Sequence, residues 1–216
     1  MELQYTALGD SITVGMGASF LAPGFAPRYR SLASSDLGER IELRNFARIG
    51  FETADVLCSL ERRDVQKSIS DAEIITITAG GNDLIHTLEK TGNITDPAPY
   101  REALEHAQTN FEKILNRIYQ IKEHKSHTYI IRLCNLYNPF PEVPPADKWI
   151  MAFNQHLQKL CGAPHVKIAD LYSAFKGHES DYLSVDRVHP SNLGHQAIAK
   201  ELRRLEYAPL AKIKQE

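Results

Sequence analysis

The sequence predicts an α/β fold, a five-stranded parallel sheet covered by helices on both faces. Three observations lead there. Short apolar runs alternate with longer segments whose apolar residues recur every three or four positions. Five such runs can be counted, and strands alternating with helices form parallel sheets. The composition is 43% hydrophobic and 24% charged, with no internal repeat or low-complexity linker, as expected of one folded domain spanning residues 1–216.

Gln4–Leu8 is a short apolar run that ends at Gly9, and it is the first strand. A helix is expected over about Pro27–Leu37, stopped by Gly38. The second strand is Ile41–Ala47. Thr53 can cap a helix over about Ala54–Ser68, with Val56, Leu57, Leu60 and Val65 near helical spacing. Glu73–Ala79, ending at Gly80-Gly81, is the clearest strand. A long helix is expected over about Tyr100–Lys122, where Leu104, Ala107, Phe111, Ile114, Leu115, Ile118 and Ile121 are three or four apart. Thr128–Leu133 is the fourth strand. Asn138–Pro145 holds four prolines and is a loop. A helix over Asp147 to about Leu160, a short strand at Val166–Ala169 and a mostly irregular Gly177–Pro190 follow. Ser191 or Asn192 then caps a last helix that turns Ile198, Leu202 and Leu205 inward. Five strands in this arrangement suggest the flavodoxin-like doubly wound order, in which ligands sit beyond the carboxyl ends of the strands.

Charge and cysteine content exclude several classes. Lys and Arg number 25 against 27 Asp and Glu, so the chain lacks the basic excess of a nucleic-acid binder. Cys58, Cys134 and Cys161 are far apart and odd in number, a poor disulfide framework that suits a reducing compartment. No apolar run reaches membrane-spanning length, and the N-terminus does not read as a signal peptide. The expected location is cytoplasmic or spore-associated.

Four segments can carry chemistry. Gly9-Asp10-Ser11 follows the first strand, where a serine at the start of a helical turn can point its hydroxyl into a cleft. Gly50, after the second strand, allows close backbone approach to a ligand. Gly80-Gly81-Asn82-Asp83 follows the third strand, and the Asn82 amide can donate into the same cleft. Near the end, Asp186 stands three residues before His189, close enough to fix its tautomer and leave the other ring nitrogen as a base. Singly, each also reads as an ordinary turn, cap or surface contact. No His-Glu-x-x-His or matching His/Cys cluster supports a metal site. The other eight histidines are scattered and mostly solvated by expectation, with His195 on the last helix.

Together the segments resemble the SGNH hydrolases, also called GDSL esterases and lipases, over almost the whole chain. Gly9-Asp10-Ser11, Gly50, Gly81-Asn82-Asp83 and Asp186-x-x-His189-Pro190 match the four blocks, with Ile12 replacing the leucine of the GDSL name. The resemblance implies the three-layer SGNH-hydrolase sandwich and no cofactor. It implies Ser11 as nucleophile, His189 as base and Asp186 as its orienting acid. It further implies an oxyanion hole from the Ser11 and Gly50 N–H groups and the Asn82 side chain. The α/β-hydrolase fold shares the order Ser, Asp, His but needs a Gly-x-Ser-x-Gly elbow, which is absent. Gly15-x-Gly17 lacks the third glycine of a dinucleotide fingerprint.

The implied activity is ester hydrolysis of the lipase, phospholipase or acylhydrolase type, on a small-molecule or lipid ester, with no nucleic-acid partner. Phe20, Leu21, Phe25, Tyr137 and Phe140 lie on apolar loops that can line an acyl groove or touch a lipid surface, or else cover the core. The alternatives are a carbohydrate O-acetyl esterase and, in another class, a non-catalytic ligand-binding protein on the same fold.

Overall fold

The computed structural model of the protein describes residues 2–123, 128–163 and 165–210. In chain order the elements are β1 (Glu2–Leu8), α1 (Ser11–Val14), α2 (Phe25–Leu37), β2 (Arg40–Asn45), α3 (Thr53–Ser59), α4 (Arg63–Asp71), β3 (Ile74–Ile77) and α5 (Gly81–Thr91). They continue with α6 (Pro97–Lys122), β4 (Ile130–Cys134), α7 (Pro144–Lys159), β5 (Val166–Ala169), α8 (Leu171–Phe175), α9 (Glu179–Tyr182) and α10 (Asn192–Arg204). The five strands form one sheet in the order β2-β1-β3-β4-β5. Every pairing is parallel.

Strand side chains alternate between faces, and the two faces carry separate hydrophobic clusters. Ile75, Ile77, Ile131 and Leu133 point toward α3, α4, α6 and α7 and meet Val56, Val65, Phe111 and Phe153. Tyr5, Ala7, Ile74 and Ile130 point the other way, toward Phe25, Tyr29, Phe175, Ile198 and Leu202 of α2, α8 and α10. The result is the three-layer sandwich.

Helix boundaries differ from expectation in several places: α2 and α6 begin two or three residues early, and α7 begins at Pro144, inside the expected loop Asn138–Pro145, because proline is tolerated in the first helical turn. The single helix expected over Ala54–Ser68 is two, α3 and α4. Val56 with Leu60 and Val65 with Ile69 each sit four residues apart, but Leu60 and Val65 are five apart. At 3.6 residues per turn one straight helix would not bury both pairs, whereas the break leaves all four at or below 1% exposure. The N-cap is Glu52 rather than Thr53, in a reciprocal capping box with Asp55. Residues 81–91 form α5, which sequence reading passed over, and α8 and α9 add short helices before and within the expected loop. At the C-terminal end Ser191 is the cap, Ile198 and Leu202 are buried, and Leu205 is half-buried.

His195 is fully buried, while His106 and His178 are exposed and His86, His156 and His165 are half-buried. The expectation of mostly solvated histidines is thus corrected: His165 lies against the rings of Tyr119 and Tyr129, while His86 and His156 meet the carboxylates of Glu52 and Glu112. His124 and His127 lie outside the described residues.

Candidate active site

The site assembles where strand ends meet the loop before α10. Gly9 has φ +138°, and a Cβ there would come within 2.3 Å of the Thr78 carbonyl and hydroxyl oxygens. Only glycine lets the chain turn this tightly out of β1. Asp10 then caps α1 by accepting from the Ile12 N–H at 3.0 Å, and its carboxylate also accepts from the Thr78 hydroxyl at 2.8 Å. Burial pushes the Asp10 carboxyl up, against the pull of these two hydrogen bonds. Ser11 is therefore presented at the first position of α1, 6% exposed.

His189 Nε2 lies 2.9 Å from Ser11 Oγ, and His189 Nδ1 lies 2.7 Å from Asp186 Oδ2. Asp186 and His189 share a tight turn in which Arg187 takes φ +56°. The other Asp186 oxygen accepts from the Val188 and His189 N–H groups at 2.9 Å each and from the Ser184 hydroxyl at 2.8 Å. Burial disfavours its charge, but the hydrogen bonds from Val188, His189 and Ser184 outweigh burial and hold the carboxyl well below the usual range. Tyr137 steadies the turn, its hydroxyl donating to the Val188 carbonyl at 2.6 Å. Ser184 was not singled out from the sequence, where a serine two residues before an aspartate carries no signal.

Gly50, with φ +79°, lies on the exposed loop between β2 and α3. That loop is tied to the Ser11 turn by the Arg48 N–H, which donates to the Gly9 carbonyl at 3.1 Å. Asn82 Nδ2 donates to the Phe51 carbonyl at 2.8 Å, which brings the second and third blocks together. Asn82 lines the cavity beside Ser11, and Gly50 does not.

The cavity holds ≈ 110 Å³, against the ~10–15 Å³ that one water needs by the same measure. Its walls are mostly apolar, among them Leu84, Ile85 and Leu88 of α5, Tyr100 of α6, and Trp149 and Ile150 of α7. Tyr100 and Trp149 stack at 5.7 Å. The α5 wall was legible in principle, since Leu84, Ile85 and Leu88 share one helical face and Gly92 caps its end. None of its residues is fully buried, because this face meets a cavity rather than a core.

The five candidate substrate-binding residues separate. Tyr137 and Phe140 line the cavity. Phe25 does not: it is fully buried in the core and stacked on His195. Phe20 and Leu21 are 99% and 90% exposed and also lie outside the lining. They stand on the loop that Ser19 ties to Asn192, with the Ser19 N–H donating to Asn192 Oδ1 at 3.0 Å. Among the described residues no group of three or more His, Cys, Asp or Glu could hold a metal, and no helix is long and apolar enough to cross a membrane.

Comparisons with known proteins bear on the family and the fold. The spore germination lipase LipC of Bacillus licheniformis is 46% identical over 210 residues, 97% of this chain and 99% of the relative. The crystal structure of the lipase Lip_vut3, from a goat rumen metagenome, matches with a TM-score of 0.92 and 46% identity, covering 96% of this chain and 99% of that one. The acetylxylan esterase Axe2 of Geobacillus stearothermophilus shares the fold, with a TM-score of 0.67 at 18% identity over 94% of this chain and 93% of its own. The model of the GDSL-like lipase/acylhydrolase family matches residues 7–197. The chain accordingly belongs to the GDSL-like lipase/acylhydrolase family and is a carboxylic ester hydrolase.

Proposed function

We propose that the chain, acting as one domain, hydrolyses acyl esters of the lipid type through a Ser11–His189–Asp186 triad and an acyl-enzyme intermediate. The observation that carries the reading is the hydrogen-bonded line from Ser11 Oγ through His189 to Asp186, at 2.9 and 2.7 Å, opening on an apolar cavity. His189 Nε2 takes the Ser11 proton as the oxygen attacks the ester carbonyl. The carbon becomes tetrahedral and its oxygen negative. His189 then gives the proton to the leaving alcohol, and water repeats the sequence to free the acid and restore Ser11. Asp186, held ionised by its four donors, keeps the His189 proton on Nδ1 and faces the imidazolium when it forms.

The oxyanion is received by the Ser11 and Gly50 N–H groups and by Asn82. The Asn82 amide has two hydrogens; one is engaged by the Phe51 carbonyl and the second is left for the substrate oxygen.

The apolar walls favour an acyl chain over a polar sugar. The 46% identity to a lipase points the same way, whereas the acetylxylan esterase shares the fold alone. Phe20 and Leu21, exposed beside the loop that carries His189, suit transient contact with a lipid surface. The relative's part in spore germination supports a spore-associated setting.

Fluorophosphonate labelling, with the adduct mapped by peptide mass, tests the nucleophile; a chain-length series of p-nitrophenyl esters beside an acetylated xylan tests the substrate class. An adduct on Ser11 and a preference for butyrate or longer over acetyl sugar are expected. No adduct on Ser11 would favour the ligand-binding alternative, and preference for acetylxylan would overturn the lipid reading.

A further inference from the structure

We infer that Asp83 is a positioning residue for the oxyanion loop, holding Gly50 in register with Ser11 by clamping Thr53. This rests on the reading of Gly50 as an oxyanion donor. Asp83 sits on the first turn of α5 and does not line the cavity, although its neighbours Asn82 and Leu84 do. Both its carboxylate oxygens face the start of α3. Oδ2 accepts from the Thr53 N–H at 3.0 Å, and Oδ1 accepts from the Thr53 hydroxyl at 2.6 Å. Thr53 is fully buried and also receives a hydrogen bond from Asn110 of α6 at 3.2 Å.

Residues on either side of Asp83 grip the same stretch. Asn82 holds the Phe51 carbonyl at 2.8 Å, and His86 Nδ1 meets Glu52 Oε1 at 2.6 Å. Three consecutive residues before and into α3 are thus each held by α5. At the other end of the loop, Arg48 is tied to Gly9 at 3.1 Å. Gly50 lies between these anchors, and a Cβ placed on it would meet nothing within 4 Å. The space on its Cβ side is open, and polar anchors on both sides tie down the loop that carries its N–H. A donor turned away or displaced by about 1 Å no longer stabilises the developing charge, a loss on the order of 100-fold.

The test is steady-state hydrolysis of a p-nitrophenyl ester by Asp83→Ala, Asp83→Asn, Thr53→Val and Thr53→Ser, with active sites counted by fluorophosphonate end point. For Asp83→Ala, kcat per titrated site should fall roughly 10- to 100-fold with KM within about twofold and complete labelling of Ser11. Asp83→Asn and Thr53→Val should show smaller losses in kcat, and Thr53→Ser, which keeps the hydroxyl, should restore it. A merely structural role would lower the number of titratable sites or the melting temperature and leave kcat per site unchanged; that outcome, or a loss carried by KM, overturns the inference. Should Asp83→Ala fail to fold by circular dichroism, unchanged kcat per site in Thr53→Val overturns it equally. A wild-type enzyme that takes no label on Ser11 would sink the nucleophile assignment, and this inference with it.

Discussion

His189 Nε2 stands 2.9 Å from Ser11 Oγ across 178 residues of chain. The two segments meet because β1 lies inside the sheet, between β2 and β3, and α10 packs against α2, which returns the loop before α10 to the carboxyl end of β1. Ser11→Ala should retain the fold and lose turnover by roughly 10⁴-fold or more. Ester hydrolysis by purified variant and wild type measures this, and near-normal activity in the variant would remove Ser11 from the mechanism.

Asn82→Ala removes a donor from the cavity and also releases Phe51. Its kcat should drop by about 10²–10³-fold, the usual effect of losing one oxyanion donor. A melting curve close to wild type, measured on the same sample, separates this from unfolding.

His195 supplies a pH dependence of stability. Its Nδ1 accepts from the Phe25 N–H at 3.2 Å, so its proton is on Nε2, 2.9 Å from the Met16 carbonyl. Burial holds its pKa below the ordinary 6.5, against the pull of the Met16 carbonyl. The unfolded chain takes up this proton as pH falls through about 6.5 while the folded chain does not. Stability is therefore full above that pH and declines below it. Melting temperatures from pH 7.5 to 5 should fall in wild type, with a shallower slope in His195→Gln; equal slopes would show that another group governs the decline.

Ala146 lines the cavity beside Trp149 and Ile150. Ala146→Phe should fill part of the acyl space. Laurate ester hydrolysis should fall roughly tenfold or more relative to acetate, since apolar pockets discriminate by about 1–3 kcal/mol per methylene. A chain-length profile identical to wild type would mean that the acyl group lies elsewhere.

Phe20 and Leu21 touch neither core nor cavity. Phe20→Ser combined with Leu21→Ser should leave the melting temperature unchanged and weaken co-sedimentation with phosphatidylglycerol vesicles several-fold. Undiminished vesicle binding would remove these side chains from any lipid contact.

Much of the site was legible because its pieces are local. Gly9-Asp10-Ser11 stands directly after β1, Gly80-Gly81-Asn82 after β3, and Asp186 reaches His189 within one turn. Tyr137 and Phe140, apolar residues on a proline-rich loop, line the cavity. For Phe25 the core reading won over the groove reading, a choice left open because an aromatic residue after a glycine looks the same whether its ring enters the core or a groove. The α5 wall was missed for the opposite reason, being amphipathic but facing a cavity.

The five strands, the longer helices, the family blocks and the chemical kind of each site residue were legible in the sequence alone, because side-chain period, glycine punctuation and capping act over a few residues. The tertiary structure alone decided that Ser11 meets His189, that α5 grips Phe51 through Thr53, and that Phe20 stays in solvent while Phe25 is buried. Those outcomes depend on which apolar faces cover which, a free energy summed over segments distant in the chain that no local pattern encodes.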